Sequence, residues 1–292
     1  MILLDGKKTS IEIKEEIKIT VSAMKLKGER VPHLAAVLVG NDGASLTYVG
    51  NKVRSCEYVG FKSTLIKLEN NISEIDLLKQ IQILNSDNTL DGYIVQLPLP
   101  KHIDEEKILL AIDSKKDVDG FHPENFGRMS LELDAFVPAT PYGIIKLLEK
   151  YKIPTDGKHC LVVGRSNIVG RPLSILMSQK GISGNATVTL AHSRTKNLKK
   201  LTKQADIIIM ALGIPEFLTS DMVKDDVCVI DVGITRVVDK NNPKGYVIKG
   251  DVDFKEVSKK AGYITPVPGG VGPMTIACLL RNTIECFKRS LV

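Results

Sequence analysis

A strand, a glycine turn and the start of a helix follow one another in residues 159–172, HCLVVGRSNIVGRP. The apolar run Leu161–Val163 stops at Gly164, and a helical pattern resumes after Gly170-Arg171-Pro172. Such a turn leaves backbone N–H groups and a helix N-terminus free to receive a phosphate, as in mononucleotide-binding folds. The match to the G-x-G-x-x-G fingerprint is partial, because Ser166 replaces the second glycine and the last glycine comes one position late. Glycines that only shape a turn are the alternative.

The stretches that follow this turn strengthen the nucleotide-binding interpretation. Strand-like runs occur at 186–190, 205–212 and 227–234, and helical stretches lie between them. This alternation is typical of a parallel sheet with helices on its faces. We therefore predict an α/β fold for this part of the chain.

The loop after the second of these strands bears on which dinucleotide binds. An NAD site uses a carboxylate about 20 residues beyond the glycines to bind the ribose diol. Here the run 191–195, AHSRT, contains no acid. Its hydroxyl groups and Arg194, with Arg165 in the glycine turn, suit a 2′-phosphate instead. The sequence thus favours NADP over NAD, and the alternative is that Arg194 is a solvated loop cation.

Composition sets broad limits on the class of protein. The 292 residues allow one or two domains with a sizeable core. A hydrophobic content of 43% and a charged content of 25% are those of an ordinary soluble globular protein. The net charge of +6 is spread along the chain, which argues against a nucleic-acid groove.

The spacing of the cysteines and histidines and the short apolar N-terminus indicate a soluble protein of a reducing compartment. The five cysteines form no C-x-x-C pair and the five histidines are scattered, so we expect free thiols and no metal site. The apolar start MILL is too short for a signal peptide, and no stretch approaches a membrane span. We therefore expect a cytoplasmic protein that does not contact membranes.

The first half of the chain shows a second, separate β/α alternation. Predicted strands lie at 34–39, 63–68 and 92–97, and predicted helices begin at Ser10, near Ala44, at Ser73 and at Asp104. The second of these helices closes at Gly60.

One face of the helix that covers roughly 44–58 carries Ser45, Tyr48 and Lys52, which are spaced three and then four residues apart. A helical lysine is most often a solvated surface charge. Lys52, however, shares its face with a tyrosine hydroxyl near the C-terminal end of a strand, where ligands bind in open α/β sheets. From the residues alone, both roles stay open.

Polar residues mark two further candidate positions. Gln96 ends the apolar third strand, so its side chain is placed toward a ligand, and the prolines after it fix an extended exit. In KDVDG, residues 116–120, the alternation places one of Asp117 and Asp119 inward and the other outward. An Asx turn and a ligand contact are equally open for this pair.

The last motif is TPVPGGVGPMT, residues 265–275. It is rigid at its prolines, and its three glycines let backbone approach a flat ligand closely, although a packed helix entry is the alternative. It opens a terminal helix, Met274–Arg289, which we expect to cross back to the first domain. The run 138–141, PATP, is the best linker candidate, and Thr140 caps a helix that runs to about Lys152.

Five motifs in this order resemble one enzyme family. They are YVGNK (48–52), DGYIVQLPLP (91–100), KDVDG (116–120), GRSNIVGRP (164–172) and TPVPGGVGPMT (265–275). With them the chain resembles the bifunctional methylenetetrahydrofolate dehydrogenase/methenyltetrahydrofolate cyclohydrolases over essentially its whole length. The stretches VQLPLP and PGGVGPMT are the most specific. From the length of 292 residues we expect no synthetase domain of the kind that some relatives carry.

The resemblance implies two α/β domains with a cleft between them. An N-terminal folate and catalytic domain, residues 1–139, is completed by the C-terminal helix 273–292, and an NADP-binding Rossmann-like domain spans 140–272. The implied reactions are NADP-dependent oxidation of methylenetetrahydrofolate to the methenyl cation and its hydrolysis to 10-formyltetrahydrofolate. They belong to one-carbon metabolism, which serves purine and amino-acid biosynthesis. A homodimer joined through the nucleotide domains is also implied.

The resemblance further implies roles for individual residues. Lys52 matches the catalytic lysine, Tyr48 the residue that orients the folate, Gln96 the partner of the lysine, and Asp119 the acid that anchors the pterin. Further folate contacts are implied for Val95, Leu97, Pro268, Gly269, Gly270, Val271 and Gly272. Cofactor contacts are implied for Gly164, Arg165, Ser166, Ser193 and Ile234, and no metal is implied.

We hypothesise that Lys52 acts as the general base in hydrolysis. A free lysine is protonated at pH 7, but burial beside a cationic substrate disfavours the ammonium and leaves an amine that can take a proton from water. Two other readings stay open on the sequence. One is a two-domain NADP-linked dehydrogenase of the shikimate type, which also uses a Lys–Asp pair, and the other is a non-catalytic nucleotide-sensing module.

Overall fold

The computed structural model describes residues 1–243 and 245–291. Its strands are β1 (Ile2–Leu3), β2 (His33–Val39), β3 (Lys62–Leu68), β4 (Gly92–Val95), β5 (His159–Val163), β6 (Thr187–Ala191), β7 (Ile207–Met210), β8 (Cys228–Asp231), β9 (Thr235–Val238), β10 (Tyr246–Lys249) and β11 (Tyr263–Ile264). Its helices are α1 (Gly6–Leu26), α2 (Gly43–Val59), α3 (Glu74–Ser86), α4 (Glu105–Ala111), α5 (Pro123–Ser130), α6 (Ala139–Lys150), α7 (Gly170–Ser178), α8 (Leu198–Gln204), α9 (Phe254–Val257) and α10 (Val271–Arg289).

The chain divides into two compact units, which we name after their sheets. The six-stranded unit comprises Met1–Ser10 and Thr140–Thr275, and the three-stranded unit comprises Ile11–Ala139 and the residues from Ile276 onward. The family resemblance implies that residues 1–10 belong to the N-terminal domain. In the structure they belong to the six-stranded unit, because β1 pairs in parallel with β11, Ile2 lying opposite Tyr263.

Strand β2 forms the centre of the three-stranded unit, between β3 and β4, and all three strands are parallel. Every residue of β2 is buried, as expected of a central strand covered on both faces. Its core joins side chains of β2, β4 and α3, among them Val37, Leu77 and Tyr93. The three strands predicted for this region are confirmed, with ends shifted by one or two residues.

Capping residues fix the ends of the helices in this unit. The Asp42 carboxylate accepts a hydrogen bond from the Ser45 N–H at 2.8 Å and starts α2. The helix stops at Gly60, whose φ of 84° is a left-handed conformation that glycine adopts with little strain. Ser73 caps α3 by accepting from the Asp76 N–H at 3.1 Å.

Three helices begin earlier than the sequence predicted. Helix α1 starts at Gly6 rather than Ser10, because the Asp5 carboxylate accepts a hydrogen bond from the Lys8 N–H at 2.8 Å and supplies a cap upstream. Helix α6 starts at Ala139, so Thr140 lies inside its first turn. Helix α10 starts at Val271 rather than Met274.

The six-stranded sheet has the order β1-β11-β8-β7-β5-β6, and all its strands are parallel. Strand β5 lies between β6 and β7, so the direction in which the chain adds strands reverses at β5. In open α/β sheets ligands bind beyond the carboxyl ends of the strands at such a reversal. The predicted parallel sheet is confirmed, and it places the glycine turn after β5 at this switch point.

An antiparallel hairpin of β9 and β10 interrupts the parallel pattern after β8. The sequence pattern does not predict this hairpin, and indicates instead a strand that continues to Ile234. The five cysteines, all of which lie in the described part of the chain, are free thiols, as predicted, and all five are buried.

Candidate active site

Helix α2 positions the predicted catalytic lysine. Lys52 is only 7% exposed, although a helical lysine usually extends into solvent. Its ammonium donates a hydrogen bond to Oε1 of Gln96 at 3.3 Å. The structure therefore brings together the lysine and the glutamine that the resemblance paired.

The conformation of Gln96 turns its amide oxygen toward that lysine. Its backbone N–H donates to the carbonyl of Val37 at 2.9 Å, so the residue continues the sheet one step beyond β4. Its side-chain Nε2 donates to the carbonyl of Leu97 at 2.7 Å, which assigns the other end of the amide as the acceptor. Val95 is buried, Leu97 is half-buried, and the Leu97–Pro98 peptide is cis.

The KDVDG turn holds two carboxyl groups in different settings. Asp117 is buried and accepts hydrogen bonds from the N–H groups of Gly120 at 3.1 Å and His122 at 2.7 Å. Asp119 is half-buried, and its carboxylate accepts no hydrogen bond from the described residues. Asp117 therefore builds the turn, which leaves Asp119 available for a ligand.

Burial raises the pKa of the Asp119 carboxyl group. The positive charge of Lys52 lowers this pKa, and the neighbouring Asp117 raises it further. Lys52 and Asp119 are therefore close enough to interact electrostatically, although the structure shows no ion pair between them. Burial likewise raises the pKa of the half-buried Tyr48, which stays a neutral phenol at pH 7.

Two asparagines that the sequence analysis did not single out support this turn. Asn125 donates from Nδ2 to the Asp117 carboxylate at 3.0 Å. Asn282 of α10 donates from Nδ2 to the carbonyls of Val118 at 2.8 Å and Val137 at 2.9 Å. Both amides are buried. An amide within the apolar pattern of a helix was the signal that could have identified Asn282.

Close backbone packing shapes the glycine turn after β5. Gly164 has a φ of 122°, and a Cβ atom there would lie 2.2 Å from the carbonyl oxygen of Ala211. A Cβ atom at Gly170 would lie 2.0 Å from the carbonyl oxygen of Gly164. Both glycines are therefore required for the turn, whatever it binds.

Ser166 occupies part of the helix N-terminus that the sequence predicted to be free. Its hydroxyl accepts hydrogen bonds from the N–H groups of Val169 at 3.2 Å and Gly170 at 3.4 Å. The backbone N–H groups of residues 165–168, by contrast, have no acceptor in the described part of the chain, and these residues are exposed. These groups and the Arg165 guanidinium fit a phosphate of a dinucleotide.

The other predicted cofactor contacts lie in loops along the same edge of the sheet. Ser193 and Arg194 are exposed in the loop after β6, where the Thr195 hydroxyl accepts from the His192 N–H at 2.8 Å. Ile234 is 46% exposed in the loop after β8. Loops at the carboxyl ends of β5, β6 and β8 thus carry all five predicted cofactor residues.

The predicted folate loop, residues 268–272, belongs to the six-stranded unit. Pro268 is exposed and follows a cis peptide bond from Val267, and the carbonyl of Gly269 accepts from the Lys7 N–H at 2.8 Å. Gly270 and Val271 are buried and Gly272 is half-buried, at the start of α10. The motif therefore leads into α10, and Pro268 is its exposed point.

Within residues 1–243 and 245–291, no three His, Cys, Asp or Glu side chains are grouped so that they could hold a metal ion. No helix in the same ranges is long and apolar enough to cross a membrane.

Two family models match the chain. The model of the tetrahydrofolate dehydrogenase/cyclohydrolase catalytic domain matches residues 4–119, and that of the NAD(P)-binding domain of the same enzymes matches residues 138–291. The chain belongs to the tetrahydrofolate dehydrogenase/cyclohydrolase family.

Individual members of the tetrahydrofolate dehydrogenase/cyclohydrolase family match over nearly their full lengths. The bifunctional protein FolD of Flavobacterium johnsoniae is 70% identical over 288 residues, which are 99% of this chain and 98% of the relative. The crystal structure of FolD from Campylobacter jejuni is 50% identical, with a TM-score of 0.92 and 99% of each chain covered. The enzyme of Trypanosoma brucei, solved with NADP and an inhibitor, is 34% identical, with a TM-score of 0.94 and 100% of this chain and 98% of that chain covered.

Membership in the tetrahydrofolate dehydrogenase/cyclohydrolase family makes the chain a bifunctional enzyme of one-carbon metabolism, both oxidoreductase and hydrolase, with an NAD(P)-binding domain. The predicted family and the α/β fold with a Rossmann-like domain are confirmed. The shikimate-type dehydrogenase and the non-catalytic sensing module are excluded.

Proposed function

We propose that the enzyme oxidises 5,10-methylenetetrahydrofolate with NADP⁺ and hydrolyses the methenyl product to 10-formyltetrahydrofolate, with Lys52 as the general base of the second reaction. The observation that carries this assignment is the buried amine of Lys52, hydrogen-bonded to the neutral amide oxygen of Gln96. The Gln96 amide oxygen fixes the position of this amine, the kind of group that can take a proton from an attacking water.

In the oxidation step the main role of the protein is to position the folate and the cofactor. The hydride leaves a carbon flanked by two nitrogens, whose lone pairs stabilise the resulting cation, so no protein base is required. NADP⁺ supplies the hydride acceptor when bound. Tyr48, one helical turn before Lys52 on α2, is proposed to pack on the folate and orient its reacting carbon.

The hydrolysis step requires a base. A water molecule attacks the cationic carbon, a C–O bond forms, and the water loses a proton to the Lys52 amine. The C–N bond to one ring nitrogen then breaks, that nitrogen takes up the proton from the ammonium, and the hydroxyl group releases its own proton to solvent as the formyl C=O bond forms. Gln96 keeps the amine in place through its Oε1 atom, and the net change is the addition of water, opening of the ring and release of one proton.

Asp119 is proposed to anchor the pterin. The Asp119 carboxylate accepts no hydrogen bond from the described residues. The Asp117 carboxylate, by contrast, accepts hydrogen bonds from backbone N–H groups of the KDVDG turn and the residues after it. A carboxylate can accept hydrogen bonds from both the amino group and the ring N–H of a pterin, and such charge-assisted bonds are stronger than neutral ones. Val95, Leu97 and the 268–272 loop are proposed as the remaining folate contacts.

Gly164, Arg165, Ser166, Ser193 and Ile234 are proposed to hold the cofactor. The free N–H groups of residues 165–168 suit its pyrophosphate, and Arg165 and Arg194 suit a 2′-phosphate, which favours NADP over NAD. We also propose that the enzyme is a cytoplasmic homodimer joined through its nucleotide-binding domains. Light scattering on the purified protein tests the dimer, since a monomer mass would exclude it.

The decisive experiment mixes the enzyme with methylenetetrahydrofolate and NADP⁺ and follows the methenyl species by its absorbance. We expect the methenyl species to form and then decay to 10-formyltetrahydrofolate. A parallel reaction with NAD⁺ measures the cofactor preference. Formation without decay faster than the buffer rate would contradict the proposed hydrolysis, and absence of formation would contradict the proposed oxidation.

A further inference from the structure

Two buried acids, Asp231 and Asp251, lie at the carboxyl edge of the six-stranded sheet, and neither belongs to the proposed set of folate or cofactor contacts. Asp231 is the last residue of β8, and Asp251 follows the β9–β10 hairpin. They are 3% and 0% exposed, and no Lys, Arg or His within the described ranges forms an ion pair with them. No cation of the described residues therefore pairs with either carboxyl group.

Asp251 holds the loop that leaves β7. Its Oδ2 atom accepts hydrogen bonds from the N–H groups of Leu212 at 2.6 Å and Gly213 at 3.0 Å. This loop borders the glycine turn, because the carbonyl of Ala211 fills the space where a Gly164 side chain would be. A shift of the β7 loop would therefore move the turn that is proposed to bind the pyrophosphate.

Asp231 holds the loop that leaves β8. Its Oδ1 atom accepts hydrogen bonds from the N–H groups of Gly233 and Asp251, both at 2.9 Å, and its Oδ2 atom accepts from Val252 at 3.0 Å. The first of these bonds fixes the residue directly before Ile234, a proposed cofactor contact. The second links the two acids, so the loops after β7 and β8 are tied into one network.

Two glycines make room for the carboxyl groups. A Cβ atom at Gly233 would lie 2.3 Å from Oδ1 of Asp251, and one at Gly250 would lie 2.0 Å from Oδ2 of Asp231. The Oδ1 atom of Asp251 is buried and has no hydrogen-bond partner. Burial of a carboxyl group without a cation beside it is unfavourable. Neutral amide side chains could hold the same loops through hydrogen bonds to the backbone at a lower desolvation cost, so connecting the loops does not by itself require two acids.

We propose that Asp231 and Asp251 are positioning residues of the dinucleotide site, which set the loops after β7 and β8 against the cofactor. This inference rests on the cofactor site proposed above. It predicts that loss of either acid weakens cofactor binding and spares the hydrolysis of methenyltetrahydrofolate, a reaction that needs no hydride acceptor. The cyclohydrolase activity of each variant therefore serves as the control for correct folding.

The test is Asp251→Asn in the full-length enzyme, measured in both reactions. We expect KM for NADP⁺ and its Kd by titration to rise about tenfold or more, because two charge-assisted bonds to the β7 loop weaken. Cyclohydrolase activity with methenyltetrahydrofolate should stay within about twofold of the wild type, a change too small to reflect loss of a charge-assisted bond. Asp231→Asn, which replaces the other carboxyl group of the same network, should give the same split if the first variant folds poorly.

The matched control is Asp206→Asn. Asp206 also accepts a backbone hydrogen bond, from the His159 N–H at 2.8 Å, but at the amino end of β5, on the opposite edge of the sheet. It should leave KM for NADP⁺ unchanged. Equal loss of both activities in Asp251→Asn and Asp231→Asn, or unchanged cofactor affinity in either, would overturn the positioning role. A wild-type enzyme that binds no NADP⁺ would instead overturn the proposed cofactor, and this inference with it.

Discussion

The Lys52 ammonium and the Gln96 amide oxygen lie 3.3 Å apart, and the amide is held in that orientation by a 2.7 Å bond from its nitrogen to the Leu97 carbonyl. A buried lysine is more often part of an ion pair. Here the hydrogen-bond partner that fixes the position of the Lys52 amine is a neutral amide. This relationship suits a group that must be protonated at one stage of a reaction and unprotonated at another.

Replacing Lys52 with methionine tests that role. Lys52→Met keeps the length of the side chain and removes the amine, so we expect hydrolysis to fall by about 100-fold or more, the usual contribution of a general base. Oxidation needs no base and should persist, within about tenfold of the wild type, because only positioning is disturbed. Stopped-flow absorbance of the methenyl species measures both rates in one reaction.

Arg54→Met is the matched control for Lys52→Met, since Arg54 is an exposed cation on the same helix. It should leave both rates near those of the wild type. Equal loss of the two activities in Lys52→Met, with folate still bound, would contradict the assignment of the base.

Asp119→Asn should produce mainly a binding defect. The substitution keeps the shape of the side chain but replaces a carboxylate with an amide, a weaker acceptor that also presents N–H groups to the pterin. We expect the KM for the folate to rise about tenfold, with a smaller change in kcat. Asp104→Asn, which retains a helix-capping residue at the start of α4, serves as control. Normal folate affinity in Asp119→Asn would exclude the anchoring role.

Asp117 is expected to matter for stability rather than chemistry. Its carboxylate accepts from two backbone N–H groups and from Asn125, and all three donors are left without that acceptor in Asp117→Ala. At about 1 kcal/mol for each net hydrogen bond, the free energy of unfolding should fall by about 3 kcal/mol. Urea unfolding measures this free energy. The control Asp104→Ala removes an exposed helix cap and should lower the free energy of unfolding by only about 1 kcal/mol. Equal losses would show that the turn does not depend on Asp117.

The sequence predicted those parts of the molecule that local chemistry determines. The apolar runs of β2, β5 and β7, the left-handed stop of α2 at Gly60 and the Ser73 cap depend on residues close together in the chain. Lys52, Gln96 and Asp119 could be named because family motifs surround them. The roles of those residues remain predictions, since geometry alone does not show what they bind.

The parts that escaped prediction depend on contacts distant in the chain. Strand β1 is two residues long, which is too short to show any periodicity. It forms because its backbone pairs in parallel with β11. Asp231 and Asp251 are brought together by the hairpin between them, so neither position looks unusual by itself. The one local signal was an acid at the end of the apolar run CVID, the same kind of signal that identified Gln96.

The acid pair also predicts how stability depends on pH. Burial raises the pKa of Asp231 to about 7 from an ordinary value of 3.8, backbone hydrogen bonds partly oppose the rise, and Asp251 adds to it. Between these two values the unfolded chain has lost the Asp231 proton while the folded protein keeps it. Because the folded state then binds more protons, this group makes the free energy of unfolding fall as pH rises from about 4 to about 7, by up to about 4 kcal/mol, and adds no further slope above that range.

Asp231→Asn isolates this contribution, because an amide does not titrate. We expect the difference in unfolding free energy, variant minus wild type, to increase steadily between pH 4 and pH 7 and then to level off, whatever constant offset the amide introduces. Chemical denaturation at half-unit pH intervals measures it. Asp206→Asn should show no slope in this range, and a change of opposite sign only below about pH 4, since a hydrogen bond from Lys224 lowers the pKa of Asp206 from its ordinary value of 3.8 and its stabilisation is lost only as pH falls below that value. Parallel curves for Asp231→Asn and the wild type would mean that Asp231 is ionised in the folded protein throughout this range.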